Sequence, residues 1–303
     1  MGINRHVISV IIPHHNIPEL LQRCLNSIPD VPEVQVIVVD DNSSEQLVDF
    51  DKFPGLDRLY TRCIFDKEGG GAGHARNIGM SYADGKWLVF ADADDYFTPD
   101  AFRILNYHKD DSYAIILFKA DSVDSDDYSP SDRHLELNKA VDDALRGAIT
   151  VKEAIWTMPV PWCKMFLRAF IVSHRIKYEE VMSSNDMMFV LKSVCWVSES
   201  AITVSDKVLY TVTTRKNSLF DNRKKDFANF LCRLDVMIRC NKFMKGYPLL
   251  RREPIIVHLG RARHFGVIPF FKTFVFILRR HAFFSGFRTF LKIVNSHTLK
   301  LKI

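Results

Sequence analysis

Short apolar runs alternate with predicted helices along the first third of the chain. Val7–Ile12, Val34–Val39 and Trp87–Ala91 are rich in β-branched or aromatic residues, and each run predicts a strand buried on both faces. Pro18–Ile28 has apolar residues at helical spacing, and His74–Ala83 follows a glycine-rich stretch as a second predicted helix. Strands that alternate with helices favour an α/β fold with a mostly parallel sheet flanked by helices.

Polar residues follow the predicted strands at the points where they end. Pro13 ends the first strand, and Pro13–Asn16, Asp40–Ser43 and Asp92–Asp95 all lie directly after apolar runs. Leu59–Phe65 predicts a further strand, and the acidic stretch 119–132 predicts a loop. Ligands of parallel sheets bind at the carboxyl ends of the strands, so we expect the polar segments to converge on one crevice.

The run Trp87–Ala91 ends in three acids within four residues, Asp92, Asp94 and Asp95. Crowded carboxylates repel one another and resist desolvation unless a cation joins them. The Asp92-x-Asp94 spacing allows two carboxylates to hold one divalent ion, which in turn holds a diphosphate. On local chemistry alone, a solvated acidic turn with Asp95 capping a helix fits equally well.

Three other features near the predicted crevice have both binding and structural interpretations. Asp40 and Asp41 can accept hydrogen bonds from a ribose or a base, or their side chains can bond their own turn. Gly69–Gly73 resembles a phosphate loop but matches neither the Walker nor the dinucleotide spacing. Arg76, near the start of a predicted helix, suits a phosphate or a neighbouring carboxylate, or lies in solvent.

The order and spacing of five segments resemble the family 2 glycosyltransferases of bacterial surface-polysaccharide synthesis. The segments are Ser9–Asn16, Val38–Ser44, Ala75–Gly79, Ala83–Gly85 and Phe90–Asp95, and they cover roughly the first 105 residues. The resemblance implies the GT-A fold, a Rossmann-like, mixed but mostly parallel sheet, and an inverting transfer of sugar.

The resemblance also implies a role for each matching residue. Asp41 contacts the nucleotide base with Asp40 as its support, and Asp92 and Asp94 bind Mn²⁺ or Mg²⁺. Of the two, Asp94 is the one expected to contact the ion directly. Asp95 either supports a metal ligand without touching the ion or lies on the acceptor side. The residues assigned to nucleotide-sugar binding are Pro13, His15, Asn16, Asp40, Asp41, Arg76, Asp92, Ala93, Asp94 and Arg215.

Further matches lie in the second half of the chain. Asp186 corresponds to the second acid of a Glu-Asp pair that opens a helix in many bacterial members, where it is the presumed catalytic base; Asn185 replaces the Glu. On local chemistry, Asp186 is instead an acid favoured by a helix dipole. Arg215 and Lys216 close over the diphosphate leaving group or simply begin the basic tail.

Charge divides the chain near Thr214. Residues 215–303 contain 20 Lys and Arg against 4 Asp and Glu, whereas residues 1–214 contain 21 against 32. With 303 residues and 47% hydrophobic content, the chain can bury a full core and still carry an appendage. We predict a catalytic domain over residues 1–214 and a basic, phenylalanine-rich helical region over residues 215–303.

The basic region predicts an amphipathic helix near its end. One helical face contains Phe283, Phe287, Phe290, Leu291 and Val294, and another contains Arg280, Arg288 and Lys292. Such a helix binds anionic membrane or docks on the catalytic domain. Nucleic acid is the rival partner for this charge, but no recognised motif is present, so none is expected.

No signal peptide or membrane span is predicted. Val7–Ile12 is too short for a signal, and Val267–Leu278 contains Pro269 and Lys272 and is shorter than the roughly 20 residues that cross a bilayer. The six cysteines lack paired spacing and are expected to be reduced. We therefore expect a cytoplasmic protein, peripheral at the inner face of the cell membrane.

The resemblance to family 2 therefore implies a metal-dependent inverting glycosyltransferase. It moves one sugar from a nucleotide-sugar donor, most simply a UDP-sugar, to a hydroxyl of a glycan or lipid-linked glycan. The Gln-x-x-Arg-Trp segment of processive synthases is absent from the sequence, which favours single additions. The alternatives are an inactive nucleotide- or glycan-binding protein of the same fold, or a sugar nucleotidyltransferase. The latter needs a glycine-rich triphosphate loop after the first strand, which Pro13–Asn16 does not provide.

Overall fold

The computed structural model describes residues 6–215, 226–247, 250, 252–283 and 285. The chain forms two compact units. The first consists of Met1–Val181 with Phe189–Arg215, and the second of Met182–Met188 with Lys216–Ile303. This division falls beside the boundary predicted after Thr214, but it assigns 182–188 to the second unit. The predicted domain assignment itself stays a prediction.

Eight strands of the first unit form one sheet. They are β1 Ile8–His14, β2 Val34–Asp41, β3 Thr61–Asp66, β4 Trp87–Phe90, β5 Tyr96–Phe97, β6 Ile115–Asp124, β7 Lys164–Leu167 and β8 Ile202–Thr214. Their order is β3-β2-β1-β4-β7-β6-β8-β5. Strands β3, β2, β1 and β4 are parallel, as are β6 and β8, whereas β7 and β5 pair antiparallel with their neighbours. The predicted α/β class with a mixed, mostly parallel sheet is confirmed.

Helices connect and cover these strands. They are α1 Pro18–Asn26, α2 Gly71–Tyr82, α3 Ala101–Tyr107, α4 Leu135–Leu145, α5 Val151–Thr157, α6 Arg168–Ser173 and α7 Met187–Trp196. Two short 3₁₀ turns cover Phe50–Lys52 and Glu199–Ala201. An aromatic group of Phe90, Phe166, Tyr178 and Phe189 packs between sheet and helices, with ring centroids 4.1–5.9 Å apart. Each such ring stabilises the fold by roughly 1.5–3 kcal/mol through burial.

Strand β1 continues through Pro13, where the sequence predicted its end. Pro13 pairs in register with Val39 of β2, and His14 pairs with Asp40. On the other side, the pairing of β1 with β4 stops at Ile11 and Phe90. Proline therefore lies where only one edge of the strand is paired, and the missing N–H costs no ladder hydrogen bond there.

Helix α2 begins at Gly71, within the stretch that was predicted as a glycine-rich loop. Gly71 has φ +84°, which favours glycine at the helix start. Further along, a Cβ at Gly79 would lie 2.5 Å from Cγ2 of Ile11. Glycine at position 79 thus allows α2 to approach β1 closely, which sets the position of Arg76 on the same helix.

The loop predicted for residues 119–132 is wrong in its first half. Strand β6 extends through Asp124 and pairs with the end of β8 at Thr214. The acidic and polar residues there alternate with buried ones such as Ala120 and Ser122. Alternation of this kind is the mark of a half-buried strand, and the high polar content concealed it.

The second unit is helical where it is described. Its helices are α8 Phe227–Phe243, α9 Val257–Ala262 and α10 Val267–Arg279, with 3₁₀ turns at Met244–Gly246 and Arg263–Phe265. Its core consists of Leu234, Met237, Ile238, Ile255, Ile277 and Ala282. Asn241 joins α8 to the next segment, because its side-chain amide both accepts from the N–H and donates to the carbonyl of Glu253.

Several sequence predictions for this region lie outside the described residues. They concern Lys216 and most of the amphipathic segment, including Phe287, Arg288, Phe290, Leu291, Lys292 and Val294. Among the residues that are described, no helix combines the length and the apolar character needed to cross a bilayer. All six cysteines are described and are free thiols.

Candidate active site

The carboxyl ends of β2, β1 and β4 meet at one edge of the sheet, as the sequence predicted. The register places His14 beside Asp40 and Ile11 beside Phe90. Asp92 lies just beyond the end of β4, so the acids at the ends of β2 and β4 flank the end of β1. Parallel strands bring these segments together although they are far apart in sequence.

Asp40 is completely buried and holds the loops after β1 and β2 together. Its carboxylate accepts hydrogen bonds from Nδ1 of His14 (2.7 Å) and from the Ser43 backbone N–H (3.0 Å) and hydroxyl. Ile17 N–H donates to Nε2 of His14, so the hydrogen of this ring is on Nδ1. Burial alone raises the pKa of Asp40, but the hydrogen bonds from His14 and Ser43 outweigh it and lower the pKa. Asp40 is thus a support beneath the crevice.

Asp41 faces the opposite side of the strand and is half-buried. Its Oδ1 accepts a hydrogen bond from Gly71 N–H at the start of α2 (3.0 Å). Burial raises the pKa of Asp41, and the charge of Asp66, its partner on β3, adds to the rise; the Gly71 N–H and His15 oppose it. A carboxylate at this position can accept a hydrogen bond from a ligand N–H or hydroxyl.

The loop after β1 has one exposed ring and one bridging amide. His15 Nδ1 donates to the carbonyl oxygen of Asp41 (2.8 Å), and its Nε2 accepts from Asn16 (2.8 Å). Asn16 also accepts from Ser44 N–H (2.8 Å), and its φ of +59° is one that asparagine tolerates. Pro13, half-buried, precedes them in β1. The predicted pocket residues Pro13, His15 and Asn16 therefore lie beside Asp41.

Asp92 pairs with Arg76. The Nη2 atom of Arg76 lies 2.6 Å from Oδ1 of Asp92, and the Arg76 side chain is only 7% exposed. The Asp92 N–H donates to the hydroxyl of Tyr210 (2.8 Å), a buried ring that stacks on Trp162. Helix α2 and strand β8 thus fix Asp92 from two sides.

Asp94 pairs with Arg215, whose Nε lies 3.2 Å from Oδ2. The carbonyl oxygen of Asp94 accepts from Arg23 Nη2 (2.6 Å) and from the hydroxyl of Thr213 (2.7 Å). Burial and then the charge of Asp92 raise the pKa of Asp94, while Arg215 opposes the rise. Ala93, between the two acids, is buried.

Asp95 is buried, with only 2% of its surface exposed. Its Oδ1 accepts from the Thr213 N–H at 2.7 Å. Burial, followed by the charges of Asp94 and Asp92, raises the pKa of Asp95 well above its usual range. The alternative of a helix cap is excluded, since α3 begins after Asp100. Asp95 instead joins the acidic turn to β8.

Asp92 and Asp94 suit a divalent ion. Their side chains are 34% and 25% exposed, and the ion pairs with Arg76 and Arg215 engage Oδ1 of Asp92 and Oδ2 of Asp94. Burial and then the charge of Asp92 raise the pKa of Asp94, and a bound cation would offset both effects. Carboxylate oxygens are the ligands that Mg²⁺ and Mn²⁺ prefer.

Asp186 lies in the turn directly before α7 and is half-buried. It belongs to the segment Met182–Met188, which groups with the second unit, whereas Asp41, Asp92 and Asp94 belong to the first. Its role as a base therefore stays a prediction. The turn position agrees with the expectation that Asp186 precedes a helix.

Sequence reasoning missed several residues that hold the acidic turn. Arg23 and Thr213 bond the carbonyl of Asp94, and Tyr210 bonds the N–H of Asp92. Arg23 also lies over the ring of Tyr96, 5.4 Å from its centroid. Each of these side chains bonds a backbone atom of a residue more than 70 positions away in the sequence, so no local pattern indicates the contact.

Solved structures of two glycosyltransferases share this fold. TarS residues 1–349 from Staphylococcus aureus, solved with UDP-GlcNAc, matches with a TM-score of 0.57 and 21% identity over 77% of this chain and 66% of that one. The mannosyltransferase PcManGT from Pyrobaculum calidifontis, solved with GDP-Man and Mn²⁺, matches with a TM-score of 0.53 and 16% identity, covering 94% and 83% of the two chains. The predicted GT-A fold is confirmed.

Sequence relatives agree with this assignment. The poly(ribitol-phosphate) β-N-acetylglucosaminyltransferase TarS of Staphylococcus aureus is 27% identical over 219 residues, which cover 69% of this chain and 36% of the relative. The poly(ribitol-phosphate) β-glucosyltransferase of Bacillus spizizenii is 23% identical over 214 residues, covering 68% and 32%. The chain therefore spans about a third of the length of these relatives.

The family model of glycosyl transferase family 2 matches residues 9–175, more than half of the chain. The matched range contains Pro13, Asp41, Arg76, Asp92 and Asp94. Together with the fold and the named relatives, this match confirms the family expected from the sequence: the chain belongs to glycosyl transferase family 2.

Proposed function

We propose that the protein transfers one sugar from a UDP-sugar to a hydroxyl of a cell-surface polymer, in a metal-dependent inverting reaction. The observation that carries this proposal is the arrangement around Asp92 and Asp94. Two carboxylates, each paired with an arginine, lie just beyond β4, and Asp41 ends β2 on the other side of β1. With a divalent ion at Asp92 and Asp94, such a site would supply the positive charge that a nucleoside diphosphate requires.

Asp41 is the residue that we assign to the nucleotide base. Its half-buried carboxylate lies beside His15, whose exposed ring is available for stacking. A single carboxylate can accept the imide N–H of uracil. The TarS structures with UDP and UDP-GlcNAc support a uridine donor, whereas GDP-Man in PcManGT makes guanosine the comparison to test.

Asp92 and Asp94 would hold Mn²⁺ or Mg²⁺. Such an ion, when bound, supplies positive charge to the diphosphate leaving group. Arg76 and Arg215 already lie at these two carboxylates and contribute two further positive charges to the same place. Stabilising the charge that develops on the leaving group is the main contribution that these residues make to the rate.

We assign the role of base to Asp186. A carboxylate within hydrogen-bonding reach of the acceptor hydroxyl takes its proton as the oxygen attacks the anomeric carbon. The bond to the diphosphate breaks in the same displacement, which inverts the anomeric centre. Support comes from the sequence resemblance and from the position of Asp186 before α7.

The names of the two sequence relatives support a class of acceptor. Both act on poly(ribitol-phosphate), according to their names. We therefore propose a hydroxyl of a polyol-phosphate or glycan polymer as the acceptor, free or linked to lipid.

A peripheral contact with anionic membrane is also proposed, and helix α10 supports it. One face of this helix, with Thr273 and Ile277, is buried in the core of the second unit. A second apolar face is exposed through Ile268, Phe271 and Val275, and Lys272 and Arg279 flank it. Apolar side chains flanked by cations suit an interface of anionic lipid.

A donor screen tests the proposed activity. We expect Mn²⁺-dependent hydrolysis or transfer with a UDP-sugar and little turnover of GDP-mannose. Asp186→Asn should reduce transfer by about 100-fold or more, the usual contribution of general base catalysis, while UDP binding stays the same. Asp206→Asn is the matched control, because Asp206 is exposed on β8. Near-normal transfer by Asp186→Asn would remove that residue from the mechanism.

Vesicle sedimentation tests the membrane contact. The full-length chain should sediment with phosphatidylglycerol vesicles and not with phosphatidylcholine vesicles. Phe271→Ser combined with Val275→Ser should weaken this binding, whereas Leu59→Ser, an exposed leucine of the first unit, should not. Equal binding by all three proteins would reject α10 as the contact.

A further inference from the structure

A histidine and two carboxylates converge beside the candidate active site without belonging to it. His74 lies on α2, Asp66 ends β3, and Glu68 lies in the loop between them. The Nε2 atom of His74 is 3.5 Å from Oδ2 of Asp66 and 3.7 Å from Oε2 of Glu68. These three ligand atoms all lie within 4.8 Å of one another.

The distances suit ligands of one ion better than hydrogen bonds. An N–H···O bond spans about 2.7–3.2 Å, so both contacts of Nε2 are too long. Two atoms that each lie about 2.0–2.1 Å from a tetrahedral ion are separated by about 3.4 Å. The nitrogen thus lies from each oxygen at about the distance that separates two ligands of one ion, and all three atoms are within 4.8 Å of one another.

The other nitrogen of the ring is held by a carboxylate. Nδ1 of His74 lies 3.2 Å from Oε2 of Glu180, and Oε1 of Glu180 accepts from the amide of Asn77 at 3.0 Å. A hydrogen on Nδ1 directs the lone pair of Nε2 towards Asp66 and Glu68. Metal-binding histidines commonly donate their second N–H to a carboxylate in this way.

Within the part of the chain that the structure describes, one oxygen of the Asp66 carboxylate is buried without a hydrogen bond beside Nε2 of His74. Its Oδ2 atom is fully buried and has no hydrogen-bond partner among the described residues, and the Asp66 side chain is only 13% exposed. Leaving a charged oxygen desolvated and unbonded is costly. A cation between Oδ2 and Nε2 would remove that cost.

The backbone at Gly70 makes room for the histidine. A Cβ at this position would lie 2.5 Å from Cγ and 2.6 Å from Cβ of His74. Any other residue would displace the ring from the two carboxylates. Glycine at position 70 therefore has a packing reason that is independent of phosphate binding.

We propose that Asp66, Glu68 and His74 bind a Zn²⁺ ion, at a site separate from Asp92 and Asp94. One imidazole nitrogen and two carboxylate oxygens suit Zn²⁺, and water completes the coordination. The ion fixes the loop that carries Glu68 against the start of α2, whose first N–H bonds Asp41. This proposal does not depend on the proposed transfer reaction.

Zinc titration of the full-length chain tests the site. Asp92→Asn with Asp94→Asn first removes the other expected metal site, and Zn²⁺ affinity is measured by competition with a chromophoric chelator. This background should retain one Zn²⁺ equivalent. Adding His74→Gln should weaken it by at least 100-fold, and adding Glu180→Gln by about tenfold.

Two further variants separate loss of ligand from loss of fold. Glu68→Gln changes a side chain that is 80% exposed, so it should weaken Zn²⁺ binding without altering the unfolding temperature of the metal-free protein. His174→Gln, an exposed histidine on the same unit, should leave Zn²⁺ binding unchanged. The proposal is overturned if His74→Gln and Glu68→Gln bind Zn²⁺ as the background does, or if the background binds none.

Discussion

Arg76 donates from Nη2 to Oδ1 of Asp92 across 2.6 Å, and this pair joins helix α2 to the acid that follows β4. The guanidinium also lies over the ring of Tyr178, 5.3 Å from its centroid. Gly79 allows the helix to pack tightly on β1, so the position of Arg76 is set by backbone packing. A buried positive charge is thereby held where we propose that the diphosphate leaving group develops negative charge.

Replacing Arg76 with lysine should impair catalysis more than stability. Lysine keeps the charge but lacks the planar fork that bonds a carboxylate and a phosphate together. Loss of one charge-assisted hydrogen bond corresponds to about tenfold to hundredfold in turnover. Steady-state kinetics with a UDP-sugar measures this, and Arg103→Lys, in an exposed ion pair on α3, serves as the control. Equal turnover of both variants would contradict the role of Arg76.

Tyr210→Phe should loosen the acidic turn. The hydroxyl accepts the N–H of Asp92 inside the protein, and an unsatisfied buried donor costs about 1–3 kcal/mol. Denaturant unfolding should show this loss, and the affinity for UDP with Mn²⁺ should fall as well. Tyr107→Phe, at an exposed tyrosine, should change neither. Unaltered stability of Tyr210→Phe would show that water replaces the hydroxyl.

The two neighbouring acids at the end of β2, Asp40 and Asp41, should respond in different ways to substitution. Asp40→Asn disturbs the buried bonds to His14 and Ser43 and should lower the free energy of unfolding by about 1–3 kcal/mol. Asp41→Asn should leave stability nearly unchanged and weaken UDP binding. Calorimetry with UDP and denaturant unfolding separate the two effects, and the reverse pattern would exchange their roles.

The pH dependence of stability adds a check on Asp40. Its pKa is lower in the folded state, so its stabilisation is present above the unfolded pKa of about 3.9 and is lost as pH falls through the folded value. Asp40→Asn should remove this part of the acid sensitivity of the first unit.

Strand ends and acidic motifs could be predicted because their signals are local. The apolar runs before Asp40 and Asp92 identify buried strands, and parallel order then brings those acids together. Alternation along β2 implies that Asp40 and Asp41 face opposite sides. Nothing in the local sequence tells which of the two faces the core, because that depends on His14 and Ser43.

The contacts that hold the acidic turn in place could not be predicted from the sequence, for a physical reason. Arg23 and Thr213 donate to the backbone carbonyl of Asp94. Every residue type has this carbonyl, so the sequence does not indicate which one accepts such a bond. Pro13 was taken as the end of β1 because proline lacks an N–H, yet β1 has no neighbour on one side there. Residue patterns thus predicted which acids lie at the strand ends, but not which residues hold those acids in place.

His258 should make the second unit sensitive to mild acid. Burial, followed by the charges of Arg261 and Arg233, lowers the pKa of His258 from 6.5 to about 4. Between these values the unfolded chain binds a proton that the folded chain does not, so stability falls as pH decreases from about 6.5 to 4. The full effect is about 3 kcal/mol.

A variant without the titrating ring isolates this effect. His258→Leu should unfold with a weaker dependence on pH between 4 and 6.5, as followed by thermal unfolding at several pH values. His281→Leu, at an exposed histidine of the same unit, should keep the dependence of the parent protein. Parallel pH curves for the parent and His258→Leu would show that His258 is protonated in the folded state.

Calorimetric titration of UDP in the presence and absence of Mn²⁺ tests the central claim most directly. We expect the parent protein to bind UDP far more tightly with Mn²⁺ than without it. Asp94→Asn, which retains the shape of the side chain and removes its charge, should abolish that difference. Metal-independent UDP binding by the parent protein, or an undiminished effect of Mn²⁺ in Asp94→Asn, would contradict the account.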